Sequence, residues 1–249
     1  MQARNTEFVA RHSIITATTT TTTTNAISMG QAISSTQFYV LGRKQFTGKG
    51  YVKNIKKYDT PVQTSSSIGI QGDGADGVDL TGKTIIITGA NSGLGKEMAT
   101  YAAAKGANLY MLCRSKGRAE QARDEIAALT SNKNIKILLA DVGELNQVRK
   151  VVKEFQSKER KLDCLVCNAG VLLNEKQVTS EGNEATFASH FLGGTYLLSK
   201  LLMPELKKST DQQARVVIVT SAGMYSTPFP EWDVATNKRG KYDGVFQYA

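Results

Sequence analysis

The chain has 249 residues, 41% of them apolar, and a formal charge of +9. That composition suits a soluble globular protein able to bury a core, and no run of about 18 uncharged apolar residues offers a membrane-spanning helix. The Lys and Arg residues are spread along the chain with no zinc-finger, RNP-like or other recognition motif, which argues against nucleic acid as a partner.

Residues 1–35 hold a threonine homopolymer at 18–24, many Ser and Ala and few large hydrophobes, and read as a disordered leader. Arg4 and Arg11 against Glu7 are compatible with an organelle transit peptide, although its amphipathic pattern is missing. Met29, Gly30 and Ser34 match the M-G-x-x-x-S pattern for N-myristoylation should translation start at Met29; a chance match in a Ser-rich stretch is the plainer reading.

Residues 36–60, TQFYVLGRKQFTGKGYVKNIKKYDT, change character. Five aromatic residues mix with six basic ones against Asp59, a net +5. The pattern predicts a helical segment that either packs its aromatics on the following domain or makes a peripheral contact with an anionic membrane surface. Residues 61–80 are rich in Gly, Ser and Asp and read as a linker.

From residue 81 to 249 short apolar runs alternate with helical-period segments. Strands are predicted at 84–88, 108–112, 135–140, 162–167 and 216–220, and helices at 93–105, 116–128, 144–156 and 181–207. This alternation implies an α/β fold, a Rossmann-type doubly wound parallel sheet with helices on both faces. The three cysteines, Cys113, Cys164 and Cys167, are too few for a disulfide framework and fit a reducing compartment such as the cytoplasm. Cys164 and Cys167 spell C-x-x-C inside a predicted strand, where residues three apart face opposite ways, so they read as small core hydrophobes rather than a metal or redox pair.

The turn leaving the first strand is ITGANSGLGKEMA. Glycines placed between a strand and a helix let the backbone approach a pyrophosphate, whose charge the helix N-terminus stabilises. Thr88, Gly89, Asn91, Ser92, Gly93, Leu94 and Gly95 are therefore candidate cofactor-binding residues. The spacing is T-G-x-x-x-G-x-G, and it is followed in order by CNAG at 167–170 and IVTSAG at 218–223.

With these strings the sequence from Leu80 to Ala249 resembles the short-chain dehydrogenase/reductase superfamily. Within it, KGYVKNIKKYD, CNAGVLLNEKQVTSEG and VIVTSAGMYS most resemble a subgroup that also carries an aromatic-basic N-terminal segment. The resemblance implies an oxidoreductase with Ser221 as catalytic serine. It makes Tyr248 the tyrosine of Y-x-x-x-K, because YDGVFQYA resembles the matching segment of retinol-dehydrogenase-like members, whereas Tyr225 and Tyr242 are followed four residues on by Phe229 and Phe246. The motif's lysine would fall three positions past Ala249, so the chain is expected to be a fragment, with its sheet incomplete at the C-terminus and without activity alone. His190 matches an asparagine that in the family holds a relay water; an imidazole there could keep a relay or serve structure.

The resemblance further assigns Asp141 to adenine and Asn168, with Ala169 and Gly170, to the cofactor's ribose side. At the end of the second strand Cys113 occupies the place of an acid that would take ribose hydroxyls, and Arg114 follows it. Arginine suits the 2′-phosphate, so NADP(H) is expected over NAD(H), with a small-molecule alcohol or carbonyl as substrate. A non-catalytic nucleotide-binding or interaction protein is the alternative.

Overall fold

The computed structural model of the chain describes residues 78–209 and 214–221, and Tyr242. The leader at 1–35, the basic aromatic segment at 36–60, residues 61–77 of the expected linker and Tyr248 lie outside the described residues. In chain order the elements are β1 (Thr84–Thr88), α1 (Gly93–Ala104), β2 (Asn108–Cys113), α2 (Lys116–Thr130), β3 (Ile135–Leu139), α3 (Leu145–Lys158) and β4 (Cys164–Cys167). They continue with α4 (Ala185–Phe187), α5 (Leu198–Leu206) and β5 (Arg215–Ile218), and a π-helical stretch, Ala188–Leu197, joins α4 to α5 without a break.

The strands form one parallel sheet in the order β3-β2-β1-β4-β5. A parallel neighbour can be reached only by a crossover, so helices come to lie on both faces and the strands read as continuous apolar runs. β1, TIIIT, shows this: all five of its residues are buried. Ile85 and Ile87 join Ala99, Ala103, Ala122 and Ile126 of α1 and α2 on one face. Ile86 joins Val148, Val152 and Phe155 of α3 and Leu198 and Leu202 of α5 on the other. Each of the buried Ile, Val, Leu and Phe side chains among these contributes about 1.5–3 kcal/mol. Cys167 belongs to the second cluster and Cys164 packs against the first, as period two along a strand requires. The fold is therefore α/β, of the doubly wound Rossmann type.

Two features depart from the expected elements. Leu80, at the end of the expected linker, donates its N–H to the Lys105 carbonyl at 2.9 Å and packs against the first cluster, so it belongs to the folded unit. The helix expected over 181–207 starts at Ala185, where the Glu184 carboxylate caps it by accepting from the Thr186 and Phe187 amides at 2.9 and 2.6 Å. It then widens to π geometry: the Leu198 amide donates to Gly193, five residues back, and the Thr195 hydroxyl donates to the His190 carbonyl at 2.6 Å. Gly193 packs directly on the Val142 carbonyl, where a Cβ would collide.

Candidate cofactor and active site

β1 leads on one side to β2 and on the other to β4, so the chain leaves the C-terminal ends of β1 and β4 in opposite directions. A crevice opens there, and this is where doubly wound sheets bind ligands. Thr88, the last residue of β1, ties its two walls together. Its Oγ1 accepts the amides of Asn168 and Ala169, both at 2.8 Å, and its carbonyl accepts the Asn168 side-chain amide at 3.0 Å.

Gly89 turns the chain with φ +66°, a left-handed conformation that glycine adopts without strain. A Cβ on it would stand 3.1 Å from the Ala169 Cα. Gly95 is required for a different reason: α1 passes so close to the turn that a Cβ would meet the Gly89 carbonyl and stand 2.6 Å from the Asn168 side-chain amide. Gly93 adopts φ +52° with open space before it. Ser92 precedes α1 in extended conformation without capping the helix by its side chain, so the first-turn N–H groups remain available to an anion. The glycine turn, Asn91, Ser92 and Leu94 line a cleft of about 760 Å³.

At the end of β2 the cleft wall is Cys113, Arg114 and, within the first turn of α2, Arg118. The Cys113 thiol accepts from the Ala90 and Asn91 amides, and burial pushes its pKa up to about 11, so it stays neutral. Arg114 lies 3.9 Å from Asp141, whose other carboxylate oxygen accepts the Gly143 amide at 2.8 Å. Sequence reasoning missed Arg118, although its place four residues after Arg114, at the start of a helix returning along the strand end, was a usable signal.

At the other end the cleft is bounded by Asn168, Ala169, Gly170 and Val171 after β4, by Phe187, His190 and Phe191, and by Ile218 to Ser221 after β5. The His190 Nε2 lies 2.8 Å from the Val171 amide nitrogen and 3.0 Å from its carbonyl oxygen. The ring edge lies so near Gly170 that a Cβ there would be 2.7 Å from Nε2. Burial lowers the His190 pKa from its ordinary 6.5, which keeps the ring neutral. The structure thus brings Ser221, His190, Arg114, Asp141 and the glycine turn around one cleft, and Tyr248 is outside the described residues. Among the described residues, no group of three His, Cys, Asp or Glu is placed to hold a metal ion, and no helix is long and apolar enough to cross a membrane.

The family model for short chain dehydrogenases matches residues 83–233. The chain is 32% identical over 218 residues to dehydrogenase/reductase SDR family member 12 of Homo sapiens, covering 86% of this chain and 62% of that one. It is 36% identical over 171 residues to Homo sapiens retinol dehydrogenase 12, covering 69% and 52%. A crystal structure of an uncharacterized protein from Mycobacterium paratuberculosis superposes with a TM-score of 0.58 at 27% identity, over 68% of this chain and 57% of that one. The chain therefore spans between half and two thirds of the length of these relatives. The matched motifs and the coverage agree with the cleft in one conclusion: the chain belongs to the short-chain dehydrogenase/reductase family of oxidoreductases, close to member 12.

Proposed function

We propose that the chain carries the cofactor-binding part and the catalytic serine of an NADP(H)-dependent oxidoreductase that interconverts an alcohol and a carbonyl compound. The observation that supports this best is the pairing of a glycine turn at the sheet's switch point with Arg114 at the end of β2, where the neutral Cys113 thiol replaces a ribose-binding carboxylate. The cofactor, when bound, supplies or accepts the hydride. The amides of the glycine turn and the α1 N-terminus hold its pyrophosphate, and Asn168 and Asp141 border its sugar and adenine. Arg114 favours the 2′-phosphate, because guanidinium matches phosphate geometry and the thiol does not repel it.

Ser221 donates a hydrogen bond to the substrate oxygen, where negative charge develops during reduction. Tyr248 carries the proton, and a neighbouring cation must lower its pKa from the ordinary value near 10 for it to do so at neutral pH. Phe187 and Phe191 in the cleft wall support an apolar substrate, as does the similarity to proteins named retinol dehydrogenases. Residues 36–60 serve as a peripheral membrane contact on the cytoplasmic side, their net +5 drawn to anionic lipid.

Fluorescence titration with NADPH and NADH tests this reading. The expected result is tighter binding of NADPH and a reversed preference in Arg114→Asp; a wild-type preference for NADH would remove Arg114 from its role. A second reading, a nucleotide-binding protein without turnover, draws on the His190 ring being engaged by the Val171 backbone where the family relay needs an asparagine. Carbonyl-dependent oxidation of NADPH separates the two.

A further inference from the structure

The two helical faces of the sheet differ in charge. α1 and α2 together carry four basic and four acidic side chains, and three of the bases are paired, Lys96 with Glu125, Lys116 with Glu120 and Arg123 with Asp124. On the other face α3 and α5 carry five bases against two acids, of which Glu154 is held by Lys158 and Glu205 is buried. Arg149, Lys150, Lys153 and Lys200 are exposed, and among the described residues none of them is paired with a carboxylate. Arg149 and Lys153 share an edge of α3 with Gln156, whose side-chain amide donates to the Leu201 carbonyl at 3.4 Å and the Glu205 carboxylate at 3.0 Å, so this edge runs beside α5.

Apolar surface accompanies the charge. Phe191 and Tyr196 are 48% and 51% exposed and stack with ring centroids 6.3 Å apart, and the Lys200 ammonium donates to the Tyr196 hydroxyl at 3.4 Å. Phe191 also packs on Phe187 at 5.5 Å, and both line the cleft. Cations alone suit any acidic partner. Exposed aromatic rings beside them favour lipid, where rings settle at headgroup level while the amines stay with the anionic headgroups. We infer that the α3–α5 face docks on an anionic membrane surface, with Phe191 and Tyr196 entering the headgroup layer and Arg149, Lys150, Lys153 and Lys200 meeting lipid phosphates. This contact is separate from residues 36–60 and does not depend on the cofactor reading. It sets the aromatic end of the cleft against the bilayer, so that an apolar substrate passes between lipid and cleft without crossing water.

Co-sedimentation of the full chain with vesicles of phosphatidylcholine, alone or mixed with phosphatidylserine, tests this. The wild type binds the mixed vesicles at low salt and leaves them as salt is raised. Replacing Arg149, Lys150 and Lys153 together by Gln weakens that binding about tenfold. Replacing Lys116, Arg123 and Lys133 by Gln removes the same charge from the side of α2 and weakens it less than about twofold. A second measurement reads insertion: brominated lipid in the mixed vesicles quenches Tyr196→Trp more than the wild type, whose one tryptophan is Trp232. An equal loss in both triple variants assigns the binding to overall charge or to residues 36–60 and overturns the inference, as does a Tyr196→Trp ring that brominated lipid leaves unquenched. A wild type that binds polyglutamate but not the mixed vesicles overturns it in favour of an acidic protein partner.

Discussion

The Thr88 hydroxyl accepts the amides of both Asn168 and Ala169 at 2.8 Å, while the Asn168 side chain donates back to the Thr88 carbonyl at 3.0 Å. Five hydrogen-bonding groups of two strand ends, separated by about 80 residues of sequence, are satisfied in one exchange. The floor of the cleft is thereby fixed before any ligand arrives.

Thr88→Val keeps the shape and removes the acceptor. It strands two inward-facing amides and should cost about 3 kcal/mol in urea unfolding, with nucleotide affinity falling as well. Thr88→Ser should recover most of both losses. Equal stability of Thr88→Val and wild type would show that the exchange is not a structural requirement.

The glycines should separate by mechanism. Gly95→Ala drives a methyl into the Gly89 carbonyl and should both abolish nucleotide binding and destabilise the fold by about 2–3 kcal/mol. Gly93→Ala meets open space and pays only for its φ of +52°, about 1 kcal/mol. Thermal unfolding of the two variants with and without NADPH reads both effects.

His190 gives the fold an acid-side dependence. Burial holds its pKa below the ordinary 6.5, so the unfolded chain binds a proton there more readily than the folded one. The stability linked to this ring is fully present above about 6.5 and is lost as pH falls from there toward the lower folded value. Denaturation midpoints measured from about pH 8 to 5 should fall on the acid side, and His190→Asn should flatten that limb. An unchanged slope in His190→Asn would mean another group controls it.

Cys113→Asp restores a carboxylate at the end of β2, beside the amides of Ala90 and Asn91. Parallel titrations of NADPH and NADH should show NADPH weakened about tenfold relative to NADH, by repulsion of the 2′-phosphate and new bonding to the ribose hydroxyls.

Much of this site was legible in the chain because the strand and helix periods and the glycine spacing are local signals. TIIIT, the turn after it and CNAG each carry their meaning within a few residues. What could not be read depends on distant partners. The π geometry of Ala188–Leu197 answers to Gly193 lying on Val142, and a periodicity of apolar residues does not distinguish it from α. The Glu181 carboxylate accepts the Leu145 and Asn146 amides at 3.2 and 2.7 Å and so serves the start of α3 from 35 residues away, which no local pattern announces. The burial of the Cys113 thiol, which keeps it neutral, likewise comes from packing that the sequence around it does not announce.

The proposed function requires that the cleft between the ends of β1, β2 and β4 hold the nicotinamide dinucleotide. Amide hydrogen exchange read by mass spectrometry, with and without saturating NADPH, addresses it directly. Peptides covering Thr88 to Gly95, Cys113 to Arg118 and Asn168 to Gly170 should exchange more slowly when NADPH is bound, and those at the opposite end of the sheet, around Asp163 and Ser209, should not change. Bound NADPH that protects other segments and leaves the glycine turn exchanging at its original rate would place the dinucleotide elsewhere.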